Sequence, residues 1–154
     1  MARNPAITST FLLADFVPFR LNRLADAVSQ DLSEIYRDRF GLDIPEWRVL
    51  VTVGQRSGCN AQHVAASTRM HKTRVSRAVA SLTKRQLVER VACAEDGREL
   101  RLRLTKSGLR VYEVLVPLAL ERERALLAKM STVNSLGFIA ALAQLEEALK
   151  LNGE

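Results

Sequence analysis

Between Asn60 and Leu104 the spacing of apolar residues changes from the three-and-four step of a helix to strict alternation, and few folds accommodate that change in so short a run. The stretch reads NAQHVAASTRMHKTRVSRAVASLTKRQLVERVACAEDGRELRLRL. Asn60 is a good N-cap for a short helix reaching about Ser67, with Val64 and Ala65 facing inward. Thr68, Arg69 and Met70 form a turn in which Met70 plugs the core. A second helix then runs from about His71 to Arg85, with Val75, Ala78, Val79 and Leu82 on its inner side. That leaves Lys72, Thr73, Arg74, Ser76 and Arg77 concentrated in its first turns. Beyond Gln86, LVERVAC is rich in β-capable residues, and RELRLRL places Leu100, Leu102 and Leu104 on one face and Arg101 and Arg103 on the other. Between them Ala94, Glu95, Asp96 and Gly97 supply a tight turn centred on Asp-Gly. Two helices joined by a short turn and followed by a hairpin meet the sequence requirements of a helix-turn-helix with a wing.

The charge distribution points the same way. No acidic residue occurs from Trp47 to Val88, whereas Arg48, Arg56, Arg69, Lys72, Arg74, Arg77, Lys84 and Arg85 contribute eight positive charges. The whole chain has a formal net charge of +6, so the remainder is slightly acidic in sum and the basicity is localised. Double-stranded DNA is the polyanion such a head fits. Lys72, Thr73, Arg74, Ser76 and Arg77 are expected in the major groove, where Arg bridges guanine O6 and N7 while Thr and Ser serve bases or phosphates. Gln62 and His63, at the start of the short helix, and Arg101 on the wing are placed to reach phosphate. Each of these residues also fits an ordinary solvated face, and the downstream hairpin is what favours the nucleic-acid reading.

With 154 residues, of which 47% are hydrophobic, the chain suits a single compact domain. Cys59 and Cys93 give neither a disulfide framework nor the close spacing of a zinc site, and read as reduced structural thiols of a cytoplasmic protein. Asp15 and Pro18 interrupt the apolar run near the start, no cleavage pattern follows, and no run approaches the roughly 20 apolar residues of a membrane span. No membrane partner is expected. His63 and His71 offer no metal spacing, and the chain has neither a nucleophile elbow nor a Gly-rich phosphate loop, so catalytic residues, metal and cofactor are all expected to be absent.

The flanks are helical. Leu21, Leu24, Val28, Leu32 and Ile35 make one apolar stripe over a helix from Asp15 to Phe40, which Gly41 ends and Pro18 begins. A second helix spans Ile44 or Pro45 to about Gln55, with Trp47, Leu50, Val51 and Gly54 on its inner side, and Cys59 can add a very short strand. Thr105 can cap a helix from about Lys106 to Lys129, which Pro117 should bend or interrupt. A last helix, about Val133 to Leu151, carries Phe138, Leu142, Leu145 and Leu149 as a narrow heptad-like seam. That seam is too apolar to leave exposed, and a second copy of the chain would cover it.

Taken together, these elements resemble the MarR family of bacterial winged-helix transcription regulators across nearly the whole chain. HKTRVSRAVASLTKRQLVER is similar to the family's recognition helix and following strand, and EDGRELRLRLTKSG to its wing. Asp96 and Arg98 match a D-x-R pattern, and LTKSG matches a Leu-Thr-x-x-Gly exit from the wing. Gln86 departs from the pattern, standing where the family usually has glycine. The resemblance implies a mainly α (α+β) fold, a winged helix-turn-helix at 42–105 flanked by dimerisation helices at 1–41 and 106–154. It also implies a homodimer that reads a pseudo-palindromic operator, most simply as a repressor. Arg98 is then expected in the minor groove, held by Asp96. A small aromatic or anionic effector is implied between the dimerisation helices and the head, with Tyr36, Arg37, Arg39, Trp47 and His63 as candidates to line its cleft. Two alternatives are a thiol-based redox regulator using Cys59 or Cys93 and a helical adaptor with a basic face. The first is weakened because thiol sensors of the family carry the reactive cysteine in the N-terminal helix, where this chain has none.

Overall fold

The computed structural model describes residues 11–92 and 100–151. Among them a short 3-10 turn, Leu13–Asp15, leads into α1 (Val17–Phe40), followed by α2 (Ile44–Gln55), α3 (Ala61–Thr68) and α4 (Lys72–Lys84). Then come β1 (Val88–Ala92), β2 (Leu100–Leu104), α5 (Lys106–Leu127) and α6 (Thr132–Ala148). The chain divides into two compact units, Met1–Ile44 and Pro45–Glu154.

In the first unit Pro18 lies at the start of α1, where its missing N–H costs nothing. Gly41 ends the helix at φ 59°, its N–H donating to Arg37 O at 2.8 Å while Leu42 N–H reaches back to Tyr36 O at 3.0 Å. From Phe11 to Ala27 every residue is exposed, whereas Ser33, Tyr36 and Leu42 are buried.

The second unit holds the winged helix. Its buried residues come from every element expected to contribute: Val49, Leu50 and Val53 of α2, Val64 of α3, Val75, Val79 and Leu82 of α4, Val88 and Leu102 of the hairpin, and Leu115 of α5. Met70 is buried in the turn between α3 and α4, as its apolar side chain predicts. The inner side of α2 differs from the expected one. Glu46, Val49, Leu50 and Val53 are buried, while Trp47, Val51 and Gly54 are only half-buried. Gly54 has a different use: a Cβ there would run into the ring of Tyr112 on α5, so the missing side chain lets the two helices approach.

The hairpin is antiparallel, with Val88 opposite Leu104, Arg90 opposite Leu102 and Ala92 opposite Leu100. This puts Leu100, Leu102 and Leu104 on one face, as alternation predicts, although only Leu102 is fully covered. Cys59 bridges to Leu102 as a one-residue third strand. Pro117 does not interrupt α5, which is continuous from Lys106 to Leu127. The seam expected on α6 is also broader than its spacing suggests. Val133, Leu136 and Ile139 are exposed along with Leu142, Leu145 and Leu149, so the helix is apolar on all sides.

Gln86 takes the backbone conformation that glycine normally supplies. Its φ is 58°, its N–H donates to Thr83 O at 3.0 Å, and Leu87 N–H donates to Leu82 O at 2.9 Å, so α4 closes with a left-handed cap despite the side chain. A non-glycine residue there carries a steric cost that glycine lacks. Gln86→Gly is therefore expected to raise stability by about 0.5 to 1 kcal/mol, less than the full cost because glycine also loosens the unfolded chain. Urea denaturation at fixed protein concentration measures the change, and a lower midpoint for the variant overturns the expectation.

Candidate nucleic-acid interface

The head is built around α4. His71 caps it: its Nδ1 accepts from Thr73 N–H at 3.3 Å. The helical turn then sorts the side chains. Val75, Ala78, Val79 and Leu82 are buried, and Lys72, Thr73, Arg74, Ser76 and Arg77 are all exposed on one end of one helix. α3 packs against α4, capped by Asn60, whose Oδ1 accepts from His63 N–H at 2.8 Å. The turn between the two helices is closed by Arg69 at φ 56°.

One residue that holds this helix is not legible in the sequence. Glu46, on α2, is buried, accepts from Ser81 Oγ at 2.5 Å and lies 3.7 Å from Arg85 Nη1. A buried carboxylate must be satisfied, and here both partners lie on the last turns of α4 or just beyond it. Arg85 is 36% exposed, so solvent screens the ion pair and the Ser81 hydrogen bond is the more directional hold on the rotation of α4. An acid in a helix's first turn ordinarily reads as a solvated partner of the helix dipole, which is why spacing alone conceals it.

On the wing, Arg101 and Arg103 are exposed on the face opposite Leu102. Glu89 stands directly across from Arg103 and Val91 across from Arg101, so Glu89 faces the charge of Arg103 in the strand pair. Gln62 is exposed near the start of α3. Asp96, Arg98 and Cys93 lie outside the described residues.

The candidate effector residues are not drawn to one place within either unit. Tyr36, Arg37 and Arg39 belong to the last turns of α1, with Tyr36 buried and both arginines exposed, Arg37 Nη2 donating to Ser33 Oγ at 3.0 Å. Trp47 and His63 are half-buried in the second unit, where His63 lines a polar notch to which Trp47 does not contribute. Cys59 is buried, and desolvation pushes its thiol above the ordinary range against the smaller opposing pulls of a backbone hydrogen bond and Arg56. A thiol held protonated is a poor nucleophile toward peroxide. Among the described residues no group of three His, Cys, Asp or Glu side chains could hold a metal ion, and no single helix is long and apolar enough to cross a membrane.

Two helices joined by a tight turn, the second with an exposed cationic end, and a hairpin behind them define a winged helix-turn-helix protein. The MarR family profile matches residues 40–99, the head itself. The HTH-type transcriptional repressor IacR of Pseudomonas putida is 24% identical over 103 residues, which are 67% of this chain and 61% of that protein, so the chain matches less than two thirds of this relative's length. A MarR/EmrR family transcriptional regulator from Acinetobacter sp. ADP1 superimposes with a TM-score of 0.80 at 26% identity, covering 92% of this chain and 99% of the other. BpsR of Bordetella bronchiseptica, whose DNA binding is regulated by 6-hydroxynicotinic acid, superimposes with a TM-score of 0.77 at 18% identity over 88% of this chain and 96% of its own. The head is thus similar in sequence to the MarR family of transcriptional regulators, and the fold is similar to that of its solved members.

Proposed function

We propose that the protein is a ligand-responsive repressor that binds a pseudo-palindromic operator as a homodimer. The observation that carries this reading is the sorting of α4: five polar or cationic side chains, Lys72, Thr73, Arg74, Ser76 and Arg77, exposed at the end of a helix whose other side is buried. Arg74 and Arg77 read base edges, Lys72 and Gln62 hold phosphate, and Thr73 and Ser76 serve either. Arg101 adds a backbone contact from the wing, and Asp96 positions Arg98 for the minor groove.

Exposed apolar surface supports the dimer. Phe11, Leu12, Leu13, Phe16 and Val17 stand exposed ahead of and at the start of α1, and Val133 and Leu136 of α6 are 79% and 64% exposed. Apolar surface of this kind is costly to leave in water, and a second copy that brings the same helices is a partner able to cover it. Segments 1–41 and 106–154 then hold two heads apart. Repression follows IacR by analogy, and an aromatic acid as effector follows BpsR. Such a ligand releases DNA only by binding more tightly to a head spacing that does not fit the operator.

The test is selection of duplexes from a random library together with light scattering on the free protein. The expected results are two inverted half-sites about 10 base pairs apart, centre to centre, and a mass of twice the chain. A single unrepeated half-site bound by a monomer overturns the dimeric reading.

A further inference from the structure

α4 has thirteen residues and is about 20 Å long, with Arg74 and Arg77 near its start and Ser81 near its end. Seven residues separate Arg74 from Ser81, and four separate Arg77 from it. At 3.6 residues per turn the three therefore lie along one edge of the helix, Arg74 about 20° and Arg77 about 40° from Ser81 around the axis. Glu46, on α2, takes hold of that edge at its far end, accepting from Ser81 Oγ at 2.5 Å and lying 3.7 Å from Arg85 Nη1. The side chains that α4 buries are Val75, Ala78, Val79 and Leu82, and its closest neighbours are α3 and β1. Burial of short aliphatic side chains is non-directional, whereas a hydrogen bond has a preferred angle and resists rotation about the helix axis. As a source of stability the carboxylate is poor. Glu46 is 7% exposed, and a buried ion pair is often replaced by an apolar residue of similar size without loss, because desolvation offsets the attraction. What a buried carboxylate adds here is direction.

We propose that Glu46 is a positioning residue for sequence reading: through Ser81 it fixes the rotation of α4 about its own axis, and so the direction in which Arg74 and Arg77 meet the base edges. The assignment rests on the reading of α4 as the element that enters the major groove. At the radius of about 5 to 6 Å that a helix has with its side chains, a rotation of about 10° carries a side chain by about 1 Å. The donor–acceptor distances of a hydrogen bond span only about 0.5 Å, so a rotation of that size breaks one of the two bonds in a bidentate arginine–guanine pair. Contacts to phosphate tolerate it, because a lysine is a point charge on a flexible stem and attracts without a fixed angle. Loss of the Glu46 hold therefore lowers discrimination between sequences and leaves general affinity for duplex nearly intact. Glu46 needs no contact with DNA for this, since it acts through Ser81 on the far end of the same helix.

Fluorescence anisotropy with the selected operator and with a generic duplex gives the ratio of the two affinities, which is the quantity Glu46 should control. In E46M/S81A the buried carboxylate and the hydroxyl that binds it leave together, while Arg85, 36% exposed, keeps its access to solvent. The operator-to-generic ratio is expected to fall by about 10- to 100-fold, with generic affinity and salt slope unchanged and the melting temperature within a few degrees of the wild type. E46Q keeps an oxygen that accepts from Ser81 and should hold the ratio within about threefold of the wild type. In an R74A/R77A background, E46M/S81A should leave the ratio as it is, because the side chains that Glu46 aims are gone. An unchanged ratio in E46M/S81A, with R74A and R77A still losing it, overturns the proposal and leaves the recognition-helix reading intact. An equal fall in both affinities with a lower melting temperature also overturns it, because Glu46 is then purely structural. So does a loss of the same size in the R74A/R77A background, or an E46Q as deficient as E46M/S81A. If the wild type shows no preference between the two duplexes, the reading of α4 falls and the proposal falls with it.

Discussion

Gly108→Ala is expected to destabilise the protein by about 3 kcal/mol, the upper end of what an added methyl group costs in a tightly packed site. Gly108 is buried in the first turn of α5, and a Cβ there would overlap the carbonyl oxygen of Leu87 and lie 2.8 Å from its carbonyl carbon. Those are backbone atoms held from both sides, so no side-chain rotation relieves the clash. Thr105 explains why they are held. Its N–H donates to Leu87 O at 3.1 Å, its hydroxyl donates to Gln86 O at 2.6 Å, and the same hydroxyl accepts from Gly108 N–H at 3.0 Å as the cap of α5. The Leu-Thr-x-x-Gly stretch is therefore one device: the strand ends at Leu104, the threonine ties the helix start to the end of α4, and the glycine makes room for that closeness. Chemical denaturation at fixed protein concentration measures the loss. Ser107→Ala, next to it but with a hydroxyl that accepts from the exposed Arg110, should change stability by less than about 0.5 kcal/mol. Equal midpoints for Gly108→Ala and the wild type overturn this account.

The second large effect is expected on DNA. Arg74→Ala and Arg77→Ala should each weaken operator binding by about 1 to 3 kcal/mol and relax the sequence preference at the base pair each one reads, because the bidentate hydrogen bonds to guanine disappear. Both side chains are exposed on α4, so neither change disturbs the core and the fold should be unaffected. The comparison with Lys72→Ala separates the roles. Removing a phosphate-binding charge there weakens all duplexes about equally and lowers the salt slope by about 1, leaving the preference intact. Anisotropy with the operator and with single base-pair variants of it reads both quantities. Operator affinity unchanged in both arginine variants removes α4 as the reader of sequence.

Much of the fold is legible in the sequence because it depends on short-range periodicity. The caps at Asn60 and Thr105, the left-handed Gly41, the buried face of α4 and the leucine face of β2 all follow from spacing and from local backbone chemistry. Gln86 is the informative exception. The chain keeps the left-handed turn there without the residue that favours it, because the tie from Thr105 and the bonds from Gln86 and Leu87 fix the turn from outside. The inner side of α2 escapes its sequence for the opposite reason. Apolar spacing cannot reveal that a carboxylate, Glu46, is buried to hold Ser81 and Arg85, nor that Gly54 is needed against Tyr112 rather than in the core.

The change of period between Asn60 and Leu104 determined the winged helix-turn-helix and which end of α4 is cationic, since both depend on residues within one or two turns of each other. Only the tertiary structure decided that Arg56, His63 and Arg101 share a notch and that Glu46 is buried against Ser81 and Arg85 at the end of α4. The wing arginine and the buried carboxylate meet partners tens of residues away, and those meetings depend on backbone hydrogen bonds and close packing between elements, which no periodicity in the sequence encodes.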